Sequence, residues 1–199
     1  ALQADAIVCA FNPGMRGGQA LAELLFGQIE PSGRLPITFA RHAGQLPVYY
    51  NQINGQHGHR YADLTQAPQY AFGEGLSYTR IVYSDLAIDQ TMLQRGDVLR
   101  ASITLQNTGS RPALETVQVY LRDLVTSVTW ANRELKAYRQ VWMAPGQKQV
   151  VTLELPVDDC SLVDARGQRV VEPGGFELLV GPSSRPNDLL TARFDVRSA

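Results

Sequence analysis

The sequence lacks an excess of charge of either sign. Lys plus Arg number 18 and Asp plus Glu 19 in 199 residues, for a formal net charge of −1 and a pI near 6.3. That balance excludes the basic excess of a nucleic-acid-binding domain and the polybasic signature of a protein drawn to anionic membranes. No window approaches the ~18 consecutive apolar residues that a membrane-spanning helix needs. Cysteine is scarce: Cys9 sits in an apolar run and Cys160 follows an acidic pair. A chain of this length does not need a disulfide staple, so two unpaired thiols are expected. The opening Ala1-Leu2-Gln3-Ala4-Asp5 has no Met, no basic n-region and no signal-type apolar core, so the chain is expected to start in mid-protein, and it names no compartment. Apolar residues are not lacking. At 44% hydrophobic and 19% charged, the chain can bury a core and is not disordered. Its length allows one large domain or two small ones.

The first forty residues read as α/β. Ala6-Ile7-Val8-Cys9-Ala10-Phe11 is a continuous apolar run, suited to a strand buried on both faces. Asn12-Pro13-Gly14 turns the chain, and Ala20, Leu21, Leu24 and Leu25 share one face of a helix over 19–26, with Gly27 as its C′ residue. Pro31-Ser32-Gly33 is a second turn, and Leu35–Phe39 a short extended segment. One strand, one helix and one short extended piece cannot make an α/β domain, which needs several βα units. The segment is therefore expected to be the tail of a larger domain. Residues 41–82 have no sustained period and form a long connector, a linker or a functional surface. Its polar centre, Asn51 to Gly58, is flanked by Tyr49, Tyr50, Tyr61, Tyr70, Phe72 and Tyr78, which predicts that it packs down onto a neighbour.

From residue 83 onward the pattern is alternation. Leu99, Ala101, Ile103 and Leu105 face one way. Val117, Val119 and Leu121 alternate with Gln118, Tyr120 and Arg122, and Val151/Leu153/Leu155, Phe176/Leu178/Val180 and Ala192/Phe194/Val196 repeat the pattern. With Leu86/Ile88 and the run from Leu135 to Trp142, this predicts a seven-stranded antiparallel sandwich over 83–199. The last of those runs alternates poorly, which predicts a bulge or an edge strand.

No catalytic constellation follows from the residues alone. The loop Asn12–Gly18 lies between strand and helix, where an anion can bind, but it matches neither G-x-G-x-x-G nor a Walker loop, and reads as a tight turn. Ser77 has His42, His57 and His59 nearby in sequence but no nucleophile elbow. His57, His59 and Asp63 could form part of a metal site, without a further ligand. Glu23, Glu30, Asp63 and Glu74 are candidate carboxylates, but nothing in their spacing pairs any two as glycoside hydrolysis requires.

Four blocks nevertheless resemble one family. They are Pro13-Gly14-x-x-Gly17-Gly18-Gln19-Ala20-Leu21 through Gly27, Pro31-Ser32-Gly33-Arg34-Leu35-Pro36, Gly44-Gln45-Leu46-Pro47-Val48-Tyr49-Tyr50-Asn51, and Phe72-Gly73-Glu74-Gly75-Leu76-Ser77-Tyr78. In order and spacing they look like the C-terminal third of family 3 glycoside hydrolases, the β-glucosidase group. Asn107-Thr108-Gly109, Leu135-Lys136-x-Tyr138 and Glu172-Pro173-Gly174 resemble the fibronectin type III-like domain that closes many of these enzymes. The resemblance implies residues 1–40 as the end of an α/β sandwich domain, 41–82 as connector and 83–199 as a fibronectin type III/immunoglobulin-like sandwich. It implies a retaining β-glucosidase parent whose nucleophilic Asp and acid/base Glu lie outside these residues, so that the segment is structural, interface-forming and inactive alone. The implied partners are the N-terminal barrel and remaining α/β domain of the same enzyme, a β-glucoside bound through them, and a homodimer. No metal or organic cofactor is implied.

The family often has Trp-Tyr before Pro-Gly and Gln-Glu after it, where this chain has Phe11-Asn12 and Met15-Arg16. These residues point either to an altered aglycone subsite or to a neutral packing change. Trp130, where the family shows Arg, is a large loop aromatic. It is expected either to flank a sugar site or interface, supported by Tyr138 and Trp142, or to cover its own β domain. The alternative to an enzyme part is a non-catalytic carbohydrate- or surface-binding β-sandwich, with a scaffold for oligomerisation compatible with the first reading.

Overall fold

The computed structural model describes residues 4–53 and 63–198. Helix α1 spans Gly17–Leu25. Its end has a local cause: Gly27 sits at φ +69°, its N–H donates to Leu24 O at 2.9 Å, and Gln28 N–H donates to Glu23 O at 2.7 Å. This pair of bonds is the Schellman arrangement, and a left-handed glycine makes it possible. The apolar face is not covered. Leu21 and Leu24 are half-buried, while Ala20 and Leu25 are exposed. The strand expected over Ala6–Phe11 does not form, and Ile7 and Val8 are each 47% exposed. A strand is completed by the ladder beside it, and no strand lies beside this run among the described residues.

Among the described residues ten strands follow: β1 Ile81–Ile88, β2 Met92–Leu93, β3 Val98–Asn107, β4 Ala113–Asp123, β5 Glu134–Met143, β6 Lys148–Pro156, β7 Leu162–Val163, β8 Arg169–Val170, β9 Gly174–Gly181 and β10 Leu190–Val196. The seven long ones contain the seven alternating runs. The sheets divide as β1-β3-β6, β2-β10-β9-β4-β5 and a β7-β8 pair. The three two-residue strands carry no readable period, so alternation could not announce them. One of them, β2, joins β10 in parallel, a departure from the purely antiparallel expectation. Leu99, Ile103 and Leu105 of β3 and Val151 and Leu153 of β6 share one core with Val117 and Val119 of β4 and with Phe176 and Phe194 of β9 and β10. The two Phe rings stack at 5.5 Å. Strand β5 is both an edge and irregular: Val119 pairs with Ala137 but Tyr120 pairs with Leu135, which leaves Lys136 as the extra residue. That irregularity accounts for the broken alternation in the sequence.

The described parts of the connector pack down, while most of its polar centre, residues 54–58, lies outside the described residues. Leu35 N–H donates to Glu74 O at 3.0 Å, Gly73 N–H to Leu35 O at 2.8 Å, and Phe39 pairs with Tyr70. Around Ala43–Gln45, the buried Gln45 ties a turn. Its Oε1 accepts from Arg41 N at 2.6 Å, and its Nε2 donates to Thr65 O at 2.8 Å. Farther on, Tyr50 stacks on Phe72 at 4.2 Å and meets Tyr120 of β4 edge-on at 5.8 Å. Gln118 of β4 donates through Nε2 to the carbonyls of Gly73 and Pro182, and Tyr120 donates its hydroxyl to Gln118 Oε1 at 2.6 Å. The outer face of β4, polar in sequence, is therefore buried under the connector. Both cysteines are unpaired; Cys9 is exposed and Cys160 buried. Burial pushes the Cys160 thiol up to about 12.

Candidate functional site

The polar groups of the tail and connector converge on the β region rather than on one another. Arg34 donates to Glu115 Oε2 at 3.0 Å, and Tyr83 donates to Glu115 Oε1 at 2.7 Å. Both side chains of the ion pair are largely out of solvent, at 11% and 4% exposure. Burial pushes the Glu115 carboxyl above its ordinary range, against the pull of the Arg34 charge and the two hydrogen bonds. Glu30 Oε1 accepts from the Ser77 hydroxyl and from Tyr78 N–H. Tyr78 in turn donates to Leu24 O at 2.5 Å, tying the helix to the loop. Arg111 reaches from the β3–β4 turn to Gly27 O, with its guanidinium 5.1 Å from the Tyr78 ring centre. Glu74 accepts from Ala71 N–H at 2.8 Å and from Arg185 at 2.5 Å.

These contacts settle several candidates. Ser77 donates to a carboxylate and accepts from Thr79 N–H at 3.0 Å, which is a loop-fixing role. His42 Nδ1 accepts from Gly44 N–H within its own turn. His57 and His59 lie outside the described residues, as does Tyr61. Glu23 accepts from Gln19 along the helix at 2.7 Å, Asp63 is exposed, and Glu30 and Glu74 are engaged as above. Among the described residues, no three His, Cys, Asp or Glu side chains converge as metal ligands, and no helix is long and apolar enough to cross a membrane.

Phe11, Asn12 and Arg16 share the exposed loop that leads into α1. Phe11 adopts φ +47°, a left-handed conformation that a bulky side chain rarely takes. Trp130 lies elsewhere, on the β4–β5 loop, and no hydrogen bond or ring contact links it to those three. Its half-buried indole donates to Glu134 Oε2 at 3.0 Å, and Lys136, the bulge residue, holds the same oxygen at 3.1 Å. The loop is also pinned to the connector: Ile53 pairs with Ala131, and Asn132 N–H donates to Gln52 O at 2.8 Å. Trp142 does not support Trp130. It pairs with Leu114, whereas Glu134 pairs with Leu121, and eight residues of strand put about 25 Å between those ends.

Tyr50 is among the aromatics expected to pack the connector down, but the other residues that fasten this region escaped the sequence reading. Gln118, Arg34 and Glu115 act across long sequence separations, and no local pattern marks them. Asp123, at the end of β4, was also unforeseen. Burial, with Glu172 a further contributor, pushes its carboxyl up to about 6, and its Oδ2 has no partner among the described residues. A carboxyl raised in the fold favours folding when protonated. The stability it contributes is full below the unfolded value near 4 and is lost as pH rises through about 6. Asp123→Asn is expected to flatten stability between those pH values, as read by urea denaturation across pH 4–7.

The comparisons with known proteins fit this geometry. Residues 1–78 match the glycosyl hydrolase family 3 C-terminal domain, and residues 115–184 match the fibronectin type III-like domain. The chain belongs to glycoside hydrolase family 3, as a C-terminal portion of such a protein. A periplasmic β-glucosidase of Salmonella typhimurium is 34% identical over 92% of this chain and 25% of its own length. A putative β-xylosidase of Formosa agariphila is 33% identical over 92% of this chain and 24% of its own length. Among solved structures, a β-glucosidase involved in saponin metabolism from intestinal bacteria superposes with a TM-score of 0.90 at 56% identity, over 94% of this chain and 25% of that one. The β-glucosidase from Listeria innocua in complex with glucose superposes with a TM-score of 0.86 at 32% identity, over 94% and 27%. The chain thus spans about a quarter of the length of these relatives.

Proposed function

We propose that the chain is the C-terminal part of a retaining β-glucosidase that removes terminal β-D-glucosyl residues from oligosaccharides or glucosides. The observation that carries this is the order of two domain matches along one chain, family 3 C-terminal domain and then fibronectin type III-like domain. Residues 1–40 are read as the end of an α/β sandwich domain, 41–82 as the connector and 83–199 as a fibronectin type III/immunoglobulin-like sandwich of seven principal strands. The role of the segment is structural. Ile7, Val8, Phe11, Leu25 and Phe26 are exposed, and so many large apolar side chains in one short tail call for cover, which the remaining α/β domain and barrel of the same protein would provide. The chemistry belongs to those other parts. A carboxylate attacks the anomeric carbon to form a glycosyl-enzyme while a second carboxyl protonates the leaving oxygen, and that second group then activates water.

The test is a 2-fluoro-2-deoxy-β-glucoside inactivator applied to the full-length protein. The label is expected on an Asp outside these residues, and a label within them would overturn the assignment. Trp130 is read as an interface or sugar-flanking aromatic, held in place by Glu134 and Lys136. Phe11, Asn12 and Arg16 are read either as a neutral packing change or as the rim of an altered aglycone subsite. Trp130→Ala in the full protein is expected to change either dimer mass or aglycone preference. If neither moves, the indole serves only to cover its own domain.

A further inference from the structure

The connector covers the outer face of β4 and meets the edge strand β5 near its start, where Leu135 N–H donates to the Tyr50 hydroxyl oxygen at 3.1 Å. Toward the other end of β5, Gln28, Ile29 and Ser32 of the tail face Pro112, Leu114 and Trp142 across a cleft of about 370 Å³, within the size range of small-molecule sites. Trp142, at its mouth, is 59% exposed, and Tyr138, on the same face of β5, is 68% exposed. Four residues of strand separate the two rings, about 13 Å, with the exposed Gln140 between them. The cleft is also lined by two charged side chains. Arg111 is held by Gly27 O and lies against the Tyr78 ring, while Glu30 accepts from Ser77 and Tyr78 through Oε1 and keeps its unpartnered Oε2 out of solvent. What is open to a ligand is neutral: an amide, a hydroxyl, aliphatic carbon and two flat aromatic faces. An anion would find no free cation there.

We infer that this cleft and the adjoining face of β5 form an accessory binding site for a neutral saccharide, a β-linked gluco-oligosaccharide. The apolar face of one pyranose ring lies on Trp142, its hydroxyls reach Gln28 and Ser32, and the chain continues over Gln140 to Tyr138. The choice of a glucan rests on the glucosidase reading above. The contacts that fix Arg111 and Glu30 keep the cleft floor in place without ligand, so little ordering is required on binding.

Affinity electrophoresis of the full-length protein through gels containing a soluble mixed-linkage β-glucan tests the site, with the active site blocked beforehand by the fluoroglucoside. The native protein is expected to be retarded. Trp142→Ala should raise the apparent Kd about tenfold, and Tyr138→Ala should raise it less. Unblocked Trp142→Ala should retain native kcat/KM on 4-nitrophenyl β-D-glucoside, which reports an intact fold. A native protein that migrates as in a glucan-free gel, or a Trp142→Ala variant retarded as strongly as the native one, overturns the proposal. Loss of the glucosidase reading would show separately, as a native protein without turnover of the small glucoside.

Discussion

Gly73→Ala is expected to be among the most damaging single substitutions in the chain, lowering stability by about 3 kcal/mol, or roughly 6–12 °C in Tm. Gly73 sits at φ +76°, where a Cβ costs about 1–2 kcal/mol by itself. The added carbon would also lie 2.0 Å from Gln118 Oε1. A side-chain end can often move aside, but this one is buried and engaged at both atoms. Oε1 accepts from Tyr120, and Nε2 donates to the carbonyls of Gly73 and Pro182. Displacing it strands buried donors and acceptors, at about 1–3 kcal/mol for each group left unpaired. The effect should be strongly non-additive with Gln118→Ala, because the second substitution removes the clash and the polar group together. Thermal denaturation of the two single variants and the double variant measures this.

The second large effect belongs to the ion pair that joins the tail to the β region. Arg34→Met leaves Glu115 buried with only the Tyr83 hydroxyl for company. Breaking such a pair costs about 3–5 kcal/mol, because the remaining charge is uncompensated. The penalty should depend on pH in a definite sense. Burial already raises the Glu115 carboxyl, and the Arg34 charge is the largest influence lowering it. Without Arg34, Glu115 rises further and is more readily neutral in mild acid. The variant is therefore expected to lose most stability near pH 7 and less near pH 5, where a carboxyl raised in the fold supports folding as it protonates. Arg34→Met combined with Glu115→Leu should recover a large part of the loss at neutral pH, since no buried charge is then left alone. Urea denaturation at the two pH values separates these outcomes.

The two sites explain why some of the fold was legible and some was not. The long strands were legible because a half-buried strand writes its burial into every second residue, as in Val151, Leu153 and Leu155 of β6. The end of α1 was legible because only a left-handed residue at position 27 completes that turn. Strand β4 misled for the opposite reason. Gln118 and Tyr120 read as solvent-facing, yet the outer face lies under Tyr50, Phe72 and Gly73, contacts between segments some 45 to 70 residues apart in order of magnitude that no local period can encode. The Ala6–Phe11 run misled because continuous apolarity signals a buried strand only when neighbouring strands are there to bury it. At the candidate site, the sequence offered Glu74 and Ser77 as candidates but not their partners. Glu74 meets Arg185 and Ser77 meets Glu30 only once the connector has folded back. Trp130 was visible as an unusual aromatic, but the Glu134 and Lys136 side chains that hold it depend on a bulge, whose position the broken alternation marked only loosely.

On the reading proposed above, this chain is the C-terminal part of a family 3 glycosidase and does not carry its chemistry. The direct measurement is hydrolysis of 4-nitrophenyl β-D-glucoside by the purified 199-residue chain and by the full-length protein, at equal molar concentration and with both shown to be folded. Turnover is expected from the full-length protein and none from the chain alone. Turnover by the isolated chain, or a full-length protein that leaves the glucoside intact, would contradict it.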